Sequence, residues 1–171
     1  MIRIGAVLAL AAAGTAAACV PARQNGDTLG GATQSPVGQS ADTLVGVVAR
    51  VGSDPVSWMA ITPPDGGQLR LSGTASAALG AVAGAHVWVT GARESSGFRV
   101  DAFEVRRVNG QPVDDGVVVV TSSDVAIRTR SGMQRTIPNA PPSMRELAGA
   151  RVWVSQPVGG VAPSYGLISR P

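Results

Sequence analysis

The sequence has no lysine: its 14 basic residues are all arginine, set against 11 acids. It also has only one histidine, one cysteine and one tyrosine. Almost nothing titrates between the carboxylates and the guanidiniums, so a net charge of only +3 drives the isoelectric point to 10.4. The chain is near-neutral and lacks the basic footprint of a nucleic-acid-binding surface. The missing lysine reads as coding bias. One histidine cannot supply the several ligands of a transition-metal site. Nor does His86 have an activated partner, because there is no Gly-x-Ser-x-Gly and the only cysteine is at position 19. A lone cysteine also precludes an internal disulfide. The acids are scattered through turn-like segments, without the pair a glycosidase needs. No catalytic residue, metal or cofactor is therefore expected. Aromatics make up 4% of the chain, so any core is built mainly from Val, Leu, Ile and Ala.

What is present first is a leader. Met1-Ile2-Arg3 is a short positive start, Ile4 to Ala13 is apolar, and Gly14 to Ala18 are small residues ending at Cys19. This is the layout of a secretory signal peptide over residues 1–18, too short for a spanning helix. The placement of Cys19 resembles a bacterial lipobox, whose cysteine is acylated and tethers the protein to a membrane. Ala16 departs from the leucine preferred there, and Ala16-Ala17-Ala18 also suits ordinary signal peptidase. Acylation, plain secretion and an uncleaved anchor all fit. Acylation is favoured because a free thiol is an odd thing to leave on an exported protein. By the same resemblance, Val20 after the cysteine implies an outer-membrane anchor at the periplasmic face. Cleavage would remove Arg3 and leave a net charge of +2.

Residues 19–42 follow as a flexible tether. From Val20 to Asp42 the chain is dense in Gly, Ser, Thr and Gln and has no period, so it cannot bury enough surface to offset its ordering entropy. Its root-mean-square reach is roughly 25 Å, at about 5–6 Å times the square root of length.

The remainder is an internal repeat. Gly84-Ala85-His86-Val87-Trp88-Val89 recurs 65 positions later as Gly149-Ala150-Arg151-Val152-Trp153-Val154. Leu79 and Val82 match Met144 and Leu147 at the same offset. Upstream, Gly46-Val47-Val48 matches Gly116-Val117-Val118, and Asp54 matches Asp124, at offset 70; downstream, Phe98 matches Tyr165 at offset 67. Ordered matches with small slips indicate a diverged duplication, dividing the chain into repeats at 43–109 and 110–171.

Each repeat gives three strands, a short helix and two strands. In the first repeat, alternation over Leu44 to Val51 places Val45, Val47, Ala49 and Val51 on one face of a half-buried strand. Strands over Val56 to Thr62 and Gln68 to Ser72 flank the turn Pro63 to Gly67. Thr74 caps a helix over Ala75 to Val82, ended by Gly84. Ala85 to Thr90 and Phe98 to Arg107 complete the set. Phe98, Val100 and Ala102 share one face while Phe103 and Val105 take the other, which predicts a bulge near Ala102. The second repeat places strands at Val117 to Thr121, Val125 to Arg130, Met133 to Ile137, Ala150 to Ser155 and Tyr165 to Ser169. Its helix covers Pro142 to Leu147, and Asn109-Gly110 is the turn joining the copies.

The shared pattern is a Gly-x-Val strand, a helix, Gly-Ala-x-Val-Trp-Val, then Phe or Tyr in the last strand. It resembles small OB-fold-like repeats of exported bacterial proteins. The resemblance covers residues 43 to 170 and implies an all-β fold with short helices, as two tandem OB-fold-like five-stranded barrels packed together. Pro138, Pro141 and Pro142 crowd the second helix, so that barrel is expected to be incomplete and to lean on the first.

Alternation sets Trp88 and Trp153 opposite the aliphatic positions of their strands, as caps, as part of the interface between copies, or as stacking platforms. Trp58 lies in strand two, where OB-like folds commonly bind ligands. Trp58, Trp88, Trp153 and Arg70 form the candidate ligand-binding set, and Cys19 is the lipidation site. Asp114-Asp115 reads as a solvated turn, Asp54 and Asp124 as turn residues, and Arg106-Arg107, Arg128 and Arg130 as solvated faces. The expected function is that of a non-enzymatic cell-envelope lipoprotein whose module binds a protein partner or an envelope glycan. A secreted oligonucleotide-binding protein and a glycan-acting enzyme are the alternatives, the former disfavoured by export and by the near-neutral charge.

Overall fold

A computed structural model describes residues 41–155 and 161–171 of the chain. The leader, Cys19 and the tether up to residue 40 lie outside the described residues. No helix among the described residues is long and apolar enough to cross a membrane.

The fold is mostly β-sheet. In the first copy the strands are β1 (Asp42–Ser53), β2 (Val56–Thr62), β3 (Leu69–Ser72), β4 (His86–Glu94) and β5 (Gly97–Val108). A 3-10 helix, Thr74–Val82, separates β3 from β4. β1 pairs antiparallel with β2 and with β4, β2 with β3, and β4 with β5. β3 and β5 then pair in parallel over two residues, Leu71 beside Phe98 and Ser72 beside Arg99, and the five strands form a partly closed ring.

The bulge expected near Ala102 is present. Thr90 faces Ala102 and Gly91 faces Val100, so Asp101 is the extra residue. It lets Phe98, Val100, Phe103 and Val105 all reach the interior, although the first two have opposite parity to the last two. The four residues read as one face of β1 do share a face, and it is the outer one. Leu44, Gly46 and Val48 are buried, whereas Val45, Val47, Ala49 and Val51 lie on the outer side. A side chain at Gly46 would run into the Thr62 carbonyl, so the position that passes closest to β2 has none. The helix start is corrected: Gly73, at φ 90°, is the capping position, and Thr74 caps nothing.

The second copy has β6 (Gln111–Val120), β7 (Val125–Thr129), β8 (Gln134–Thr136), α1 (Pro142–Arg145), β9 (Arg151–Ser155) and β10 (Tyr165–Ser169). Its pairing order, β8-β7-β6-β9-β10, repeats the β3-β2-β1-β4-β5 order of the first copy. The likeness extends to single hydrogen bonds. Val48 N–H donates to Ala85 O at 3.0 Å and Gly84 N–H to Val48 O at 2.7 Å. At the matching positions, Val118 donates to Ala150 O and Gly149 to Val118 O, each at 2.9 Å. Leu79 and Met144, both fully buried, occupy equivalent places beneath the two helices.

The copies differ at the seam. Among the described residues no pairing joins β8 to β10. β10 instead packs against the 3-10 helix of the first copy. Its Ile168 enters the first core, while Tyr165 and Leu167 pack on the second. β5 runs straight into β6 through a tight hairpin in which Asn109 (φ 51°) and Gly110 (φ 76°) supply the left-handed turn.

Candidate functional site

The outer side of the first sheet carries three of the large apolar side chains left exposed among the described residues. Its spine is the outward row of β1. Val45 lies opposite Trp88 on β4, Val47 opposite His86, and Val51 opposite Trp58 on β2. Trp88 is 44% exposed, Val47 42% and Val56 70%. Trp58 is half-buried. The two tryptophans stand six positions apart along β1, which is about 20 Å at about 3.3 Å per residue. The strand alternation that sets Trp88 opposite buried Val87 and Val89 is the one read from the sequence.

An arginine stacks on each tryptophan. The Arg106 guanidinium lies 3.9 Å from the Trp88 ring centroid, and Arg70 lies 5.7 Å from that of Trp58. Arg70 is placed there because it faces Ala60 across β2–β3, diagonal to Trp58. Arg106 is held by Glu104 at 3.2 Å, and Glu104 lies directly opposite Trp88. Two covered side-chain polar atoms find no hydrogen-bond partner among the described residues: Nδ1 of His86 and Nε of Arg106. Both flank Trp88. An orphaned polar group costs about 1–3 kcal/mol, so its persistence calls for a reason.

Trp153 does not join this face. It packs against the first core, and a side chain at Gly166 would strike its indole nitrogen. The structure thus brings Trp58, Trp88 and Arg70 to one face and puts Trp153 in the contact between copies. That contact uses the outer face of the second copy. Asp115, Val117, Arg151 and Trp153 stand where Val45, Val47, His86 and Trp88 stand in the first. Arg151 donates to Asp115 at 2.8 and 2.7 Å and to the Phe103 carbonyl at 2.6 Å, and Asp115 accepts the Val105 N–H at 2.8 Å.

This corrects the reading of Asp114-Asp115 as a solvated turn. Both lie in β6; Asp115 is 6% exposed, and both carboxylate oxygens of Asp114 accept from one guanidinium nitrogen of Arg135. The signal was long-range, since Asp115's partner is 36 residues downstream. Asp54 bridges Arg50 and Ser57, and Asp124 closes its turn with Thr121. No group of three or more His, Cys, Asp or Glu among the described residues could hold a metal ion. Comparison with known protein families, with curated proteins and with solved structures finds no match to the chain.

Proposed function

We propose that this chain is a non-enzymatic envelope lipoprotein, anchored through Cys19, whose OB-like pair binds a protein partner on the outer face of its first copy. The ring order of the first copy, and the same order with an open seam in the second, support the OB-like reading. One observation carries the choice of a protein. The same face in the second copy already receives a protein strand: it covers β5 of its sister and satisfies the outward-pointing Phe103 C=O and Val105 N–H. In the first copy that face is open.

Its composition agrees. Tryptophan and arginine around a row of valines is the make-up of a protein-binding hot spot.

Replacing Trp88 or Trp58 by alanine is expected to weaken partner binding about 30-fold, near the 2 kcal/mol threshold of a hot spot. A photo-crosslinking residue at Val47 of the full chain should trap one envelope protein, and the same residue at exposed Met133 should not. The Kd for the purified, identified partner should then rise with Trp88→Ala. Equal trapping at both positions, or retention on cell-wall glycan alone, overturns the reading. For the anchor, Cys19→Ser should move the protein from the membrane fraction to the soluble fraction. Unchanged membrane retention would exclude acylation at Cys19 as the tether.

A further inference from the structure

We propose that the groove between the two copies binds a small amphipathic anion, a carboxylate or phosphate carried on a short apolar body. The site adjoins the outer face, with which it shares Glu104, and its ligand does not depend on that face being occupied. The groove has a volume of about 430 Å³, within the range of small-molecule sites. It is hollow because three elements present small residues to it: Ala75 and Ala78 from the 3-10 helix, Ala102 from β5 and Gly116 from β6. Gly116 has a reason to lack a side chain, because a Cβ there would sit 2.6 Å from the Arg128 carbonyl oxygen. Phe103 also lines the groove, its ring buried with the Arg151 guanidinium 4.3 Å from its centroid.

The charges decide the ligand. Three acids line the groove, and each lies by an arginine, although Asp101 shares its Arg99 with Glu94 at the same distance. Asp115 has Arg151 at 2.7 Å, Glu104 has Arg106 at 3.2 Å and Asp101 has Arg99 at 3.8 Å. Arg128, on β7, and Arg130, just beyond it, also line the groove, and neither has an ion pair among the described residues. Two uncompensated guanidiniums beside an apolar hollow suit one bidentate oxyanion with a hydrocarbon body behind it.

Isothermal titration of the full chain with octanoate, octyl phosphate, octanol and inorganic phosphate tests this. Either octyl anion should bind saturably with a Kd below about 1 mM. Their relative affinities would separate a fatty-acid carboxylate from a lipid-type phosphate. The double variant Arg128→Gln/Arg130→Gln should weaken anion binding at least tenfold, and both side chains are exposed, so its melting temperature should hold. Ala102→Leu, which fills the hollow, should weaken the octyl anions and leave inorganic phosphate unchanged. Absence of saturable binding by both octyl anions overturns the proposal. So does octanol binding as tightly as they do, inorganic phosphate binding as tightly, or a double variant with unchanged affinity.

Discussion

Arg151→Ala should lower the free energy of unfolding by about 3–5 kcal/mol, the usual cost of leaving a buried charge without its partner. The stranded charge is Asp115, whose side chain is 3% exposed. It would keep only the Val105 N–H as a donor, and the Phe103 carbonyl would also lose its guanidinium. Domain stabilities are typically 5–15 kcal/mol, so this one change removes a large share. Urea denaturation measures it directly. Asp115→Leu combined with Arg151→Met should recover much of the loss, because replacing both members of a buried pair by apolar residues is often neutral. A single variant that loses less than about 1 kcal/mol would show that the pair behaves as an exposed surface bridge.

Phe98→Ala should cost about 3–5 kcal/mol, the range for emptying a buried aromatic site. Phe98 is 1% exposed and stands at the seam of the partly closed ring, beside Leu71 of β3 and opposite Arg93 of β4. The counterpart, Tyr165, is half-buried in a copy whose seam is open, and its hydroxyl pairs with Ser143 Oγ at 2.7 Å. Tyr165→Phe should therefore cost only about 0.5–1.5 kcal/mol, the net worth of one hydrogen bond. Thermal or urea melts of the two variants check the contrast. Equal losses would mean that the two seams carry similar packing.

These two sites mark the limits of what the sequence alone discloses. The repeat was legible in its order of elements and in the turn that Gly84 and Gly149 punctuate in both copies, and the matching backbone hydrogen bonds came only with the structure. The bulge was legible because Phe98 and Phe103 cannot share a face of an unbroken strand. Which side of β1 faces inward was not. Leu44, Gly46 and Val48 are as apolar as the valines between them, and the choice rests on Gly46 passing close to β2. Asp114-Asp115 looked like a turn because a local reading cannot see Arg151. At the candidate face, Trp58, Trp88 and Arg70 were picked out singly. That they share a surface, and that Trp153 leaves it for the interface, follows from strand register and from the second copy lying across β5. Arg106 was read as a solvated strand residue, and its stacking on Trp88 depends on a bulge between Val105 and Arg107 that carried no sequence signal.

The core of the first copy contains Val113 and Ile168 from the second, and Trp153 closes over it. The first half therefore relies on side chains that only the second supplies. A gene cut back to the original single unit would encode a barrel with holes where its sister's residues had been. The dependence makes the two halves one unit of folding: what the second half lends, the first cannot replace from its own residues.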